Sequence, residues 1–243
     1  MFQKDTFRLI KTTFNRFFSL FMMVVIGVAF MMGLMSTKAI MKESVDAFND
    51  EYRLQDVQLY SSYGFDDDDI REIRKQEAVD KVFASRMVDC YIKGKTGNSA
   101  VARVEETDRD VNLFKLVEGR MPQKEDEMLL LYASVYPSIF KIGARCTLYL
   151  EDGDLSESLA VSEYTIVGFV ESPAYISKAL GTSNLNNLEL DLVCFVPSEN
   201  FIADYYTTVY MTLDGADKYV SYTDEYSDYV DGRISDIGNF AAV

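Results

Sequence analysis

The acidic run Asp66–Asp69 is the first stretch whose residue types could do chemistry, because consecutive carboxylates can bind Ca²⁺. It lies in the sequence GFDDDDIREIR. An EF-hand loop needs alternating oxygen ligands and a distal glutamate, and this spacing lacks both. The same aspartates suit a helix N-cap and first turn, where negative charge stabilises the helix dipole. The spacing therefore favours a capped helix continuing through Ile70, Ile73 and Glu77 over a metal site.

Side chains that act as nucleophiles, bases or soft metal ligands are scarce. The chain of 243 residues has no histidine, which excludes a Ser-His-Asp triad, a Cys-His pair and a His-containing zinc site. Its three cysteines, Cys90, Cys146 and Cys194, form no CxxC, which excludes zinc ribbons and thioredoxin-type redox centres. Because they lie in strand-like runs, we expect buried thiols. No catalytic residue, metal site or cofactor is predicted.

One enzymatic hypothesis remains, a membrane-tethered hydrolase, which would need two carboxylates in one cleft. Glu127 and Glu171 are the acids that lie beside strand-like runs. The sequence does not place them together. We therefore predict that the chain is not an enzyme.

The first predicted element of the chain is an apolar segment. Between Arg16 and Lys38 lie 21 uncharged residues, and 10 of them are Phe, Leu, Ile or Val. As a helix they would span about 31 Å, close to the ~30 Å hydrocarbon core of a bilayer. The alternatives are a cleaved signal peptide, which has a shorter apolar core and a small-residue cleavage site, and a buried soluble helix. We expect a retained transmembrane helix over residues 17–37.

The charge distribution orients this helix. Residues 1–37 hold four bases and one acid, leaving 20 of the 24 bases and 38 of the 39 acids for the rest of the chain. The basic end predicts a cytoplasmic N-terminus near anionic lipid, so residues 38–243 are expected to be extracytoplasmic and the chain to lie in the cell membrane. The acidic body excludes nucleic-acid binding, which depends on cationic contacts to phosphate.

Helical spacing continues on both sides of the apolar segment. Upstream, over residues 1–16, it predicts either a short amphipathic helix on the inner leaflet or a basic flank that continues the same helix. The upstream apolar positions are Phe7, Ile10, Phe14 and Phe18. Downstream, the helix is expected to continue as a stalk to about Asp50. The stalk residues expected to pack are Met41, Val45, Phe48 and Tyr52.

Beyond the stalk, strands and helices interleave irregularly. Strands are expected near residues 55–60, at Met128–Leu131 and in the runs VFASRMVDCYIKG, SAVARVEE, RCTLYLEDGD, YTIVGFVES, LVCFVP and TTVYMTL. The runs VFASRMVDCYIKG and SAVARVEE should form a hairpin across residues 94–98. A short helix around Pro137, ended by Gly143, and a helix in TDEYSDYVDGRISDI are also expected. This order predicts an α+β fold, in one domain with up to two lobes.

The order of several short motifs resembles a known family. The motifs are E-G-R-M-P at Glu118 to Pro122, K-I-G at Lys141 to Gly143, and YTIVGFVESPAYIS at Tyr164 to Ser177, which leads through a loop into LVCFVP and Phe201. Together they look like the permease subunit of FtsX-like/MacB-type ABC transporters, in the version found in Gram-positive bacteria. The outer domain of that family is called the MacB periplasmic core, so the resemblance implies an α+β domain of that type on a membrane helix and stalk.

The resemblance also implies partners and a mechanism. Such permeases pair with a separate ATPase chain and with a second permease copy, and ATP-driven closure inside moves the outer domains, which is called mechanotransmission. Family members export or sense peptides or lipoproteins, or control cell-wall hydrolases. Lys4, Arg8 and Lys11 are then expected to contact the inner leaflet or the ATPase, with simple lipid anchoring as the alternative.

The chain departs from the family pattern, because no further membrane helices follow residue 243 and no G-x-x-x-x-G-K-[ST] motif occurs. We therefore interpret it as an N-terminal fragment of a longer permease. A single-pass receptor with a ligand-binding outer domain is the alternative. The sequence does not identify the substrate or the ATPase.

Overall fold

The computed structural model describes residues 2–94, 97, 99–132, 140–177 and 179–241, with backbone only for residues 2–12, 15, 38–39, 62 and 236–241. Helix α1 is Phe2–Glu51, α2 is Asp67–Arg74 and α3 is Asp224–Ala241. The strands are β1 Val57–Phe65, β2 Val79–Ser85, β3 Val88–Gly94, β4 Ser99–Glu106, β5 Lys115–Gly119, β6 Glu127–Leu131, β7 Arg145–Tyr149, β8 Glu163–Glu171, β9 Leu192–Val196 and β10 Tyr206–Leu213. The chain divides into two compact units, Met1–Ala47 and Phe48–Val243.

The first unit is helical. The segment before residue 17 continues α1 and is not a separate helix. Arg16–Glu51 is long and apolar enough to cross a membrane. The described large apolar side chains of this span are exposed from Phe17 to Met35, so they do not form the core of a soluble fold. Thr37 donates a hydrogen bond of 2.7 Å to the carbonyl oxygen of Gly33, which satisfies its hydroxyl within the helix.

The second unit contains two sheets. The small sheet has the strand order β1-β10-β2 and is antiparallel. Helices α2 and α3 cover one of its faces, where Ile73, Met211 and Val230 share a core. Asp66 caps α2 as the spacing predicts, because its carboxylate accepts hydrogen bonds from the backbone N–H groups of Asp68 and Asp69.

The large sheet has seven strands in the order β5-β8-β6-β9-β4-β3-β7, and β7 also pairs with β8. That extra pairing closes the sheet on itself, with β5 outside the closed part. Alternate residues of the strands in the closed part point into the enclosed core, including the three cysteines, which are buried and not disulfide-bonded. The predicted buried thiols are therefore confirmed. The runs EMLLL and LVCFV are buried at every position, because β6 and β9 are central strands covered on both faces.

Two expectations need correction. The run VFASRMVDCYIKG was expected to be one strand, but it divides at Arg86 and Met87 into β2 of the small sheet and β3 of the large sheet. Strand β5 was not expected. The hairpin of β3 and β4 is confirmed, although Lys95, Thr96 and Asn98 of its connection lie outside the described residues. The helix expected around Pro137 also lies outside them.

Candidate functional site

The end of α1 is held by backbone hydrogen bonds in the second unit. We call residues 48–56 the stalk anchor. Arg53 takes a left-handed φ of 51° and so ends the helix. The backbone N–H groups of Asn112 and Leu113 donate to the carbonyl oxygens of Arg53 and Tyr52, each at 2.8 Å. Asn112 is buried and also left-handed, with φ of 56°, and its side-chain oxygen accepts from the Gln55 N–H at 3.0 Å.

One side of the stalk anchor contacts the large sheet. The rings of Phe48 and Tyr52 lie 4.8 Å apart, and the Lys115 ammonium lies 5.6 Å from the Phe48 ring centroid. Lys115 begins β5 and forms an ion pair of 3.0 Å with Glu171 at the end of β8. The hydrogen bond to Glu171 raises the pKa of Lys115. The cation–π contact joins the anchor to the edge strand β5 of the large sheet, and the ion pair holds Lys115 against β8.

The other side of the stalk anchor contacts the small sheet and α3. The Asp56 carboxylate accepts hydrogen bonds from the Leu213 N–H at 2.7 Å and from the Tyr226 hydroxyl at 2.5 Å. The Asp56 N–H donates to the carbonyl oxygen of Met211 at 2.9 Å. Burial raises the pKa of Asp56 and also that of Tyr226. The stalk anchor is therefore bonded to both sheets of the second unit.

The four predicted stalk residues differ in their surroundings. Met41 is 62% exposed and Val45 is half-buried. Phe48 and Tyr52 are half-buried and pack on each other in the stalk anchor. The side chains of Lys4, Arg8 and Lys11 lie outside the part of the chain whose side chains the structure describes.

A buried arginine joins the two sheets. The guanidinium of Arg109 lies 5.2 Å from the ring centroid of Phe83 on β2, 4.9 Å from that of Phe195 on β9 and 4.2 Å from that of Phe114. It donates to Glu105 at 3.3 Å, and the side chains of this pair are 2% and 1% exposed. A buried charge is costly unless it is paired, and this pair lies where β2 of the small sheet meets β9 of the large sheet.

Two further contacts complete this inter-sheet joint. Arg86, between β2 and β3, donates to Glu106 at 2.6 Å and stacks on Tyr206 at 5.3 Å. Tyr175 donates its hydroxyl hydrogen to Glu105, and burial raises the pKa of this tyrosine. The segment SPAYIS of the family resemblance thus contributes Tyr175 to the joint.

The E-G-R-M-P motif shapes the turn between β5 and β6. Gly119 has φ of 86°, and a Cβ there would lie 2.2 Å from the Val167 carbonyl oxygen, so only glycine fits. The Arg120 guanidinium binds both carboxylate oxygens of Glu127, at 2.6 and 2.5 Å. These hydrogen bonds lower the pKa of Glu127 to about 2. The motif therefore stabilises the turn between β5 and β6.

The carboxylate pair considered for a hydrolase is not formed. On parallel strands β6 and β8, Thr165 lies opposite Glu127. Glu171 lies at the other end of β8, roughly 20 Å farther along at ~3.3 Å per residue. Each acid is also ion-paired, with Arg120 and with Lys115. These two residues cannot share one cleft, and the described residues hold no group of acids or cysteines arranged for a metal ion.

Sequence reasoning missed Asn112 and Arg109. Neither lies in a periodic run, because the segment between β4 and β5 has no regular secondary structure. The available signal was an asparagine between apolar Val111 and Leu113, and an arginine two residues before Val111, in DRDVNLF. An asparagine in a turn often takes a left-handed conformation, which would have indicated a constrained turn but not its partners.

Comparison with known proteins gives one family. The model of the MacB-like periplasmic core domain matches residues 21–229. No curated protein sequence matches the chain.

Two solved structures are similar to the chain. One is the periplasmic region of MacB from Actinobacillus actinomycetemcomitans, at 11% identity and a TM-score of 0.39, covering 70% of this chain and 71% of that one. The other is the extracellular domain of the noncanonic ABC-type transporter YknZ from Gram-positive bacteria, at 13% identity and a TM-score of 0.41, covering 73% and 93%.

Proposed function

Because the chain belongs to the family of the MacB-like periplasmic core domain, we propose that it is part of the permease subunit of an ABC transporter. Residues 1–16 are cytoplasmic, residues 17–37 cross the membrane, and residues 38–243 form the stalk and the extracytoplasmic domain. The excess of bases before residue 38 and the exposed apolar side chains of α1 support this topology.

The permease couples ATP hydrolysis by a separate ABC-class ATPase to movement of the outer domain. The observation that carries this step is the stalk anchor, where residues 48–56 are bonded to both sheets. A displacement of the anchor therefore acts on the whole outer domain. The work done there is export or sensing of peptides or lipoproteins, or control of cell-wall hydrolases.

A second permease copy provides the surface against which the stalk moves. Met41 is 62% exposed, so it is available for packing against the partner's stalk, with Val45 beside it. Phe48 and Tyr52 instead hold the anchor within their own chain. At the other end of α1, Lys4, Arg8 and Lys11 contact the inner leaflet or the ATPase.

The test is ATP-dependent cross-linking of two copies in native membranes that also contain the ATPase. Lys42 is exposed, so Lys42→Cys places a thiol on the stalk while the native cysteines stay buried. We expect a bifunctional maleimide to give a cross-linked dimer whose yield changes at least about twofold on adding ATP with vanadate. Asp152→Cys, on an exposed loop of the large sheet, is the control. A yield independent of nucleotide, or no dimer at all, contradicts the proposal and favours a receptor without an ATPase.

A further inference from the structure

Strand β5 is the open edge of the large sheet. The strand order places β5 at one end of the sheet, while β7 at the other end also pairs with β8 and closes the sheet. Among the described residues β5 pairs only with β8, and Lys115–Gly119 make no other backbone hydrogen bond. The N–H and C=O groups on the outer side of β5 are therefore unpaired, and they can accept a further strand.

Apolar side chains are exposed along and beside this edge. Leu116 and Val117 of β5 are 43% and 40% exposed, and Met121, just after the strand, is 42% exposed. Ile142 is 39% exposed and lies beside Gly119, since a Cβ on that glycine would lie 3.0 Å from the Ile142 Cδ1 atom. An extended peptide binds a sheet edge through both features, because main-chain hydrogen bonds give affinity and contacts for alternate side chains give specificity.

The charges at the edge indicate a basic partner. The cationic side chains of Lys115 and Arg120 are each already paired with a glutamate. Glu118 is exposed and forms no ion pair among the described residues, so its carboxylate is the charge of β5 that a partner can neutralise. Residues 38–243 hold 20 of the 24 bases and 38 of the 39 acids, and the resulting negative potential also favours a basic segment.

A second copy of this chain fits the edge less well. Antiparallel pairing of β5 with itself about a two-fold axis at Val117 would place Leu116 opposite Glu118, so that an apolar side chain would face each unpaired carboxylate. It would also bring two acidic bodies together. We propose instead that the outer edge of β5 binds an extended, basic peptide segment, with apolar residues at alternate positions, as an added strand. This binding requires no ATPase, so it can be measured independently of the proposed transport function.

The test is isothermal titration calorimetry of the full chain in detergent with synthetic peptides. The basic probe has about seven residues, a common strand length, and alternates valine with threonine and lysine. One matched probe carries glutamate in place of lysine. Another carries N-methyl groups on its internal backbone nitrogens, which then cannot donate hydrogen bonds.

We expect a dissociation constant of about 100 µM or less for the basic probe, and values at least about tenfold higher for the other two. Weak binding of the N-methylated probe would reflect the loss of the main-chain hydrogen bonds that an added strand makes. If the basic probe does not bind at about 1 mM, or if the N-methylated probe binds equally well, the proposal is wrong.

Amide hydrogen exchange locates the bound peptide. Saturation with the basic probe should slow exchange in residues 115–119, while β6 and β9, which are already buried, should change little. Protection that appears only in other segments would contradict binding at this edge. Protection of residues 115–119 that rises with protein concentration in the absence of peptide would assign the edge to a second copy, and would also overturn the proposal.

A charge-reversal variant tests the role of Glu118. Glu118→Lys should weaken binding of the basic probe about fivefold or more and strengthen binding of the glutamate probe, because it reverses the charge that the peptide meets. Asp152→Lys makes the same charge change on the exposed loop after β7, and should bind both probes like wild type. Equal effects of the two variants would reduce the interaction to non-specific attraction and contradict the proposal.

An apolar variant tests the side-chain contacts. Leu116→Ser should weaken binding of the basic probe about threefold or more, because it removes apolar surface that the peptide covers. Leu188→Ser is the matched control, because Leu188 is 40% exposed in the segment between β8 and β9. Both side chains are exposed, so both variants should fold like wild type. Binding by Leu116→Ser that equals that of Leu188→Ser would show that the peptide does not lie along β5.

Discussion

At the scale of single residues, Glu127 shows how a family motif acts through structure. Its carboxylate is held by Arg120 and also accepts the Gln123 N–H at 2.8 Å. Replacing it by glutamine removes the charge that both donors contact. We expect Glu127→Gln to lower the free energy of unfolding at pH 7 by about 1.5–3 kcal/mol, measured by urea denaturation. Glu118→Gln, an exposed position in the same motif, is the control and should stay within about 0.5 kcal/mol of wild type.

The same carboxylate predicts an acid dependence. Its pKa is about 2 in the folded chain against 4.5 when unperturbed, so the unfolded state takes up a proton first as the pH falls. The stabilisation is complete above pH 4.5 and is lost as the pH falls from there towards 2. Between pH 6 and pH 3, wild type should therefore lose more stability than Glu127→Gln. Equal losses would show that the Arg120 pair does not set this pKa.

The cysteines give a third prediction at this scale. Burial raises the pKa values of Cys90 and Cys146 to about 12, and burial also raises that of Cys194. The thiolate is the reactive form. We expect no cysteine of the folded chain to react with Ellman's reagent at pH 8 within an hour, and all three to react in 6 M guanidinium chloride. Rapid labelling of one thiol in the folded chain would show that the reagent reaches the core of the large sheet, and would contradict its closure.

At the scale of elements, Asn112 is the residue on which the stalk anchor depends. Asn112→Ala removes the hydrogen bond to Gln55 and places alanine in a left-handed conformation, at a cost of about 1–2 kcal/mol for each change. We expect faster amide hydrogen exchange in residues 48–56, with less change in β6 and β9. Glycine adopts the left-handed conformation without strain but cannot accept the Gln55 N–H hydrogen bond. Asn112→Gly should therefore restore part of the protection from exchange that Asn112→Ala loses. Uniform acceleration across the chain would argue against a local anchor.

The sequence predicts most elements but not how they meet. The alternation of apolar and polar residues correctly assigns Cys146 and Leu148 to one face of β7. The helical spacing of Tyr226 and Val230 correctly predicts α3. The division of β2 from β3 at Arg86 could not be predicted from the sequence, because the residues on both sides have strand-like composition. Only the long-range pairing of each strand decides which sheet it joins. For the same reason β5 was missed, since all five of its residues are exposed and leave no alternating pattern. Asn112 and Arg109 were missed because their partners are distant in sequence.

At the scale of the whole molecule, the second unit was expected to be one α+β domain with up to two lobes, and two sheets joined through Arg109 are observed. Closure of the large sheet through β7 and β8 was not expected. It depends on the pairing of Arg145 with Thr165, of Cys146 with Tyr164 and of Thr147 with Glu163, and these residue types do not indicate which strand lies beside β7. The closed part encloses all three cysteines, so the native chain offers no reactive thiol of its own to a labelling experiment.

That property permits a direct test of the central claim, which is that α1 stays in the membrane with the acidic body outside. Tyr63 is fully exposed in the second unit, and Thr13 precedes the apolar segment. In intact cells, a membrane-impermeant maleimide should label Tyr63→Cys at once and Thr13→Cys only after permeabilisation. Labelling of Thr13→Cys alone in intact cells, or a mature protein that begins after Lys38, would contradict the account.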